Sequence, residues 1–146
     1  TELPPVGIVY YYAGAKPDIL TMMAQNHRGI VIIGSGSGNY SQAWLNEIET
    51  LAAKGIIFVR ASRVNHGIVY ESDVFDPHNV CIPSNTLSGQ KARVLLMLAL
   101  SVRLPHCQQW RLFQTTARLN KDHPSRYVVR LWPADQWGTR GAVRVD

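Results

Sequence analysis

Apolar residues first gather over 6–12, V-G-I-V-Y-Y-Y, a run rich in β-branched and aromatic side chains that ends in Ala13-Gly14-Ala15-Lys16-Pro17. That pattern predicts a buried strand followed by a turn. Pro17 suits the first turn of a helix, to which Ile19, Leu20, Met22, Met23 and Ala24 give an apolar side. The pattern then repeats. A second strand is predicted over 29–33 (G-I-V-I-I), followed by a loop of small side chains, Gly34-Ser35-Gly36-Ser37-Gly38-Asn39. From 41 to 54, Trp44, Leu45, Ile48, Leu51 and Ala52 recur at spacings of three and four, while Glu47, Glu49 and Lys54 fall off that stripe. This is an amphipathic helix packed on a sheet, and Gly55 stops it. A third strand is predicted over 56–59. After an irregular stretch over 65–79, a short fourth strand is predicted over 80–82. Ser88 reads as the N-cap of a helix over 89–102, whose nearly continuous run V-L-L-M-L-A-L implies burial on most sides.

Strands separated by helices of about ten to fifteen residues argue for a parallel sheet, because a parallel partner is reached only through a crossover. The expected fold class is therefore α/β, with a small parallel sheet of about four strands and flanking helices. In such sheets the binding groups gather beyond the carboxyl ends of the strands. Here those loops are 13–16, 34–40 and 60–66.

Composition narrows this picture a little. At 146 residues, with 46% hydrophobic and 17% charged residues, the chain is too apolar for general disorder and suits one compact domain. Its longest uninterrupted apolar run, 94–100, falls far short of the roughly 18 residues a membrane-spanning helix needs, so no membrane partner is expected. Cys81 and Cys107 fit no close metal spacing; two free thiols and a single disulfide both stay open.

The net charge of +5 is unevenly spread. Residues 1–102 carry seven basic and seven acidic side chains, whereas residues 103–146 carry eight and three. All of the excess lies in the last third. Arg118, Lys121, Arg126, Arg130, Arg140 and Arg144, interleaved with Trp132 and Trp137, have the composition of a segment that could bind a phosphate backbone and stack on bases. An atypical extension without that role is the plainer reading, and nucleic acid is not the partner expected.

The loop over 34–39 follows a strand and opens a helix, the setting of a dinucleotide-binding fingerprint. The third glycine of that fingerprint would fall on Asn39, and the next strand ends in Arg60 where a ribose-binding acid is wanted; an arginine suits only a 2'-phosphate. A nucleophile elbow fails as well, because Ile33, Ser35 and Asn39 stand where its glycines belong. The loop does offer backbone N–H groups near a helix start and the mixed donors and acceptor of Asn39, which together suit a small carboxylate. A glycine-rich turn needed only for tight packing remains the alternative. His66, His78 and Cys81 match no metal-site spacing, and no metal is expected.

Four motifs combine into something more specific. In order they are Leu3-Pro4-Pro5-Val6-Gly7-Ile8-Val9-Tyr10; Gly29-Ile30-Val31 with Gly34-Ser35-Gly36-Ser37-Gly38-Asn39; Arg60-Ala61-Ser62-Arg63-Val64; and Leu87-Ser88-Gly89-Gln90-Lys91-Ala92-Arg93-Val94-Leu95-Leu96. Together they closely resemble the C-terminal domain of bacterial-type (type II) L-asparaginases and glutaminase-asparaginases over residues 2–102. On that resemblance, 1–102 form the domain, 103–116 a diverged terminal helix and 117–146 an atypical basic extension.

The resemblance implies an amidohydrolase that releases ammonia from L-asparagine, and to varying degrees L-glutamine. It works through a threonine nucleophile without metal or organic cofactor. The threonine-bearing motifs of that family, Thr-Gly-Gly-Thr and His-Gly-Thr-Asp-Thr, belong to its N-terminal domain and do not occur in this sequence. No catalytic residue is therefore expected here, and the chain alone should be inactive. The resemblance further implies an N-terminal domain as partner, a homo-oligomer in which this domain closes a neighbour's site, and a periplasmic or secreted setting.

Three substrate-binding candidates follow from it. Asn39 ends the glycine-rich loop and should bind near the α-amino and α-carboxylate end of the substrate. The position of a carboxylate that meets the substrate ammonium falls on Val74, which cannot serve, so Asp73 is preferred and Glu71 is the second choice. Ser88-Gly89 replaces the usual Asn-Pro, a change that keeps the cap and should cost about 0.4 to 1 kcal/mol in unfolded-state entropy. The alternative class is a free-standing small-ligand or nucleic-acid binding module on the same fold.

Overall fold

The computed structural model describes residues 2–65, 67–122, 127–130 and 142–145. Four strands, β1 (Val6–Tyr10), β2 (Gly29–Gly34), β3 (Ile57–Ser62) and β4 (Cys81–Pro83), form one parallel sheet in the order β1-β2-β3-β4. Helices α1 (Asp18–Ala24), α2 (Gln42–Ala53), α3 (Gly89–Ser101) and α4 (His106–Asp122) complete an α/β architecture, as the alternation of patterns requires.

Both faces of the sheet are covered, which is why its strands read as unbroken apolar runs. Along β2, Ile30 and Ile32 point to one face, where Leu20 of α1 and Trp44, Leu45, Ile48 and Leu51 of α2 complete a core cluster. Val31 and Ile33 point to the other face, against Leu95, Leu96 and Ala99 of α3 and Leu112 and Phe113 of α4. Each fully buried side chain of this size contributes about 1.5 to 3 kcal/mol, so the two clusters dominate the stability. No helix among the described residues is long and apolar enough to cross a membrane.

The caps behave as the sequence indicates. Ser41 Oγ accepts from Trp44 N at 3.5 Å to open α2, and Ser88 Oγ accepts from Lys91 N at 3.3 Å to open α3. Three elements differ by more than one residue from their expected bounds. The ladder of β1 ends at Tyr10, although Tyr11 N still donates to Ile33 O at 2.9 Å; the Tyr11 ring then meets Trp44 edge-on, with centroids 5.2 Å apart. Strand β3 runs on through Arg60 to Ser62, past the charge at which the apolar run stops. Helix α4 extends to Asp122.

Gly89 is a further difference. A Cβ there would collide with Cδ1 of Ile33 and approach its Cγ1 at 2.8 Å, so the missing side chain lets α3 lie directly on β2. Beyond α4, β5 (Tyr127–Arg130) and β6 (Ala142–Val145) pair antiparallel, a ribbon that the sequence reading did not anticipate.

Candidate functional site

The loop over 34–39 leaves the carboxyl end of β2 and folds back on itself. Asn39 N donates to Ser35 O at 2.8 Å, Ser35 N to Asn39 O at 3.1 Å and Gly38 N to Ser35 O at 3.0 Å. Gly36 and Gly38 take φ of 51° and 85°, a region glycine enters without a Cβ penalty. At Gly34 a Cβ would collide with the backbone of Gly38 and stand 2.7 Å from Asn39 N and O. The glycines are thus required by a close turn, and that turn spends three of the loop's N–H groups internally. Those three amides are not free for an anion.

Strand β3 carries the loop from beneath. Arg60, only 2% exposed, donates through Nη1 to Ser37 O at 3.2 Å and through Nη2 to Tyr70 O. Ser62 Oγ donates to Gly36 O, and Arg63 N donates to Gly34 O at 3.2 Å. Both terminal nitrogens of Arg60 are therefore committed to backbone carbonyls, and this guanidinium is not offered to a ribose phosphate. Its burial is what the sequence reading missed; a charge at a strand end ordinarily signals the exterior.

Asn39 itself is half-buried at the mouth of this turn, and among the described residues no partner satisfies its carboxamide. Its backbone is fixed while its side chain is available. Tyr40, the next residue, is buried and its hydroxyl lies 3.5 Å from Cys81 Sγ. Burial pushes the Cys81 thiol up to about 12 and the Tyr40 phenol far above its usual range, so both are neutral packing groups at physiological pH. Cys107 is exposed, and both cysteines are free.

The acidic candidates lie on the segment between β3 and β4. Glu71 and Asp73 are both exposed, with Val74 between Asp73 and Phe75 exposed as well. Glu71 lines a shallow cavity of about 230 Å³ with Tyr70, Pro83, Asn85 and Gln114. Ser72 Oγ accepts from Phe75 N at 3.2 Å, and Asp76, buried, accepts from Val80 N at 2.9 Å and from Cys81 N at 2.8 Å. Burial drives the Asp76 carboxyl above its ordinary value, against the lowering effect of those two backbone donors and of Arg60. A two-residue bridge, Val69 with Asn85, fixes the start of the segment at 3.0 Å in both directions. Among the described residues no hydrogen bond joins Asn39 to Glu71 or Asp73; Arg60 bonds to both of their segments, and Gly38 lies against Val69.

His78 pairs with Glu49 of α2 at 2.6 Å. His66 lies outside the described residues, as do the side chains of the basic and aromatic residues of 117–146.

A sequence profile of the family described as Glutaminase/Asparaginase C-terminal domain matches residues 5–113. The probable periplasmic L-asparaginase of Haemophilus influenzae is 41% identical over 102 residues, covering 68% of this chain and 29% of that protein. L-asparaginase 2 of Escherichia coli K12 matches at 41% with the same coverage. Among solved structures, the probable cytoplasmic L-asparaginase of Campylobacter jejuni superposes with a TM-score of 0.69 at 33% identity, over 77% of this chain and 37% of that one. The chain spans less than a third of the length of the curated relatives it matches.

Proposed function

This chain belongs to the glutaminase/asparaginase C-terminal domain family, and from that membership we propose that it forms the substrate-closing part of an amidohydrolase acting on L-asparagine, and to a varying degree on L-glutamine. The reaction cleaves the C–N bond of the substrate's terminal amide: ammonia leaves and water supplies the hydroxyl of the product acid. The nucleophilic threonine comes from an N-terminal domain of the kind found in the family, without metal or organic cofactor, and a homo-oligomer brings this domain against a neighbour's nucleophile.

The observation that carries the reading is the pinned turn over 34–39, which fixes the Asn39 backbone and leaves its carboxamide unspent at the carboxyl edge of the sheet. A carboxamide both donates and accepts, so it suits the zwitterionic end of an amino acid, whose carboxylate accepts and whose ammonium donates. Asp73, with Glu71 as second choice, supplies the negative charge opposite the ammonium. Exposed as both are, either gains its effect only when a partner surface excludes water from the pair.

The test is Asn39→Ala in a fusion that places the whole 146-residue chain behind the N-terminal region of the Escherichia coli relative. KM for asparagine should rise about tenfold with kcat little changed, the signature of a binding contact. Unchanged KM and kcat would remove the role assigned to Asn39.

A further inference from the structure

Arg60 presents a problem of economy. Burying a guanidinium is costly, and an apolar residue of similar volume is often at least as stabilising. Arg60 is nevertheless 2% exposed, makes no ion pair with the described carboxylates, and leaves Nε without a partner. What it does make is a pair of hydrogen bonds from separate nitrogens, one to Ser37 O and one to Tyr70 O. Those carbonyls belong to two different loops. Ser37 lies two residues before Asn39, and Tyr70 directly precedes Glu71. A planar fork holds two carbonyls at a set separation through two separate nitrogens; the single, freely rotating ammonium of a lysine does not fix that separation.

We propose that Arg60 is a positioning residue that fixes the loop bearing Asn39 relative to the acidic segment 71–73, and through that spacing sets the affinity for an amino-acid substrate. The inference deepens the proposed function and rests on its assignment of Asn39. Three features agree with it. Gly38 has no side chain where a Cβ would stand 3.0 Å from Arg60 Cγ and 3.1 Å from Ala61 O, so the loop sits directly on the arginine stem. Ser62, two residues along the same strand, holds the neighbouring carbonyl of Gly36. The Val69–Asn85 bridge brings Tyr70 O within reach of the fork. Strand β3 thus acts as a common base for both candidate contacts, with Arg60 reaching to each side of it.

The experiment compares Arg60→Lys, Asn39→Ala and the double variant in the same fusion, with kcat, KM and thermal midpoint recorded for each. Arg60→Lys keeps the charge and loses one of the two bridged carbonyls; KM should rise about fivefold while kcat stays within about twofold. In the double variant KM should rise by less than the product of the two single rises, because Arg60 acts partly through Asn39 and keeps only the acidic segment to position once that carboxamide is gone. A destabilising but merely structural role would lower the thermal midpoint and leave KM unmoved, and that outcome overturns the inference. Effects on KM that multiply in the double variant overturn it too. Should Arg60→Lys fail to fold, Arg60→Met removes the buried charge altogether and carries the same expectations.

The two levels of the proposal fail differently. A silent Asn39→Ala sinks the substrate contact itself, whereas an effective Asn39→Ala beside a silent Arg60→Lys sinks only the positioning role. A parent fusion without asparagine hydrolysis sinks the proposed function and this inference with it.

Discussion

The two loops that flank the end of β3 are built on opposite plans. The loop over 34–39 is six residues long, closes through its own backbone, and hangs from β3 by bonds to the carbonyls of Gly36 and Ser37, with Arg63 just beyond the strand holding that of Gly34. The segment over 63–80 is three times as long and is tied mainly near its ends, by the Val69–Asn85 bridge on one side and by Asp76 on the other. Between those ties, residues 71, 73 and 74 are exposed. A short loop with external anchors can place one side chain well; a long one with terminal anchors presents a whole stretch of backbone. On the first loop one candidate contact, Asn39, stands at a pinned position; on the second the carboxylate position implied by the resemblance falls on Val74, and two nearby exposed acids compete for the role.

The comparison breaks most visibly at Gly34. If the first loop is held by backbone closeness, Gly34→Ala forces a Cβ into the backbone of Gly38 and Asn39, and neither can move without opening the turn. A loss of about 3 kcal/mol in unfolding free energy is expected, at the upper end for an overpacked site. Urea unfolding of the 146-residue protein measures it. A loss below about 0.5 kcal/mol, the range of an ordinary surface substitution, would show that the turn is slack.

Asp76 is the corresponding test of the second segment. Asp76→Ala strips the acceptor from Val80 N and Cys81 N, the donors that lead into β4, and should cost about 2 kcal/mol. Its pH dependence runs against the usual carboxylate habit. Burial raises the folded-state value above 3.8, so the folded protein holds this proton more tightly than the unfolded form does. Stability from this group is therefore highest at low pH and falls as pH rises through the window above 3.8. The variant should lack that component: the difference between wild type and Asp76→Ala shrinks as pH rises through the window. A difference that grows instead means the carboxylate is stabilised in the fold as an anion.

The same contrast governs what could be read from the residues alone. The first loop was legible because its constraints are local: a strand end, glycines where no Cβ fits, and Ser41 placed to cap α2. The helices and the parallel sheet were legible because both cores follow period and alternation. Arg60 was not, since its role depends on two carbonyls 23 and 10 residues away in sequence. Gly89 was read only in part, for a related reason. As a sequence change from proline it reads only as an entropic cost, yet in the fold Ile33 occupies the space a side chain would need. The acidic contact stayed divided between Asp73 and Glu71 because the carboxylate position implied by the resemblance falls on Val74, and both acids beside it are exposed on a long segment.

The smallest effect tests the outer tie of that segment. His78 meets Glu49 of α2 at 2.6 Å with its side chain 71% exposed, and the hydrogen bond and charge of Glu49 raise the imidazole above 6.5. The sign is the ordinary one for histidine: the pairing is fully present below the unfolded value and is lost as pH rises through the folded one. Solvent and salt screen so exposed a pair, and its measurable consequence is in titration rather than in stability. In an NMR titration of the 146-residue protein, Glu49→Gln should bring the His78 midpoint down toward 6.5. Raising the salt concentration should shift the wild-type midpoint in the same direction. A midpoint indifferent to both changes would mean that the backbone just before β4 is not held to α2, leaving Asp76 to anchor that end of the segment by itself. The contrast between the two loops would then be sharper than the one drawn from the hydrogen bonds.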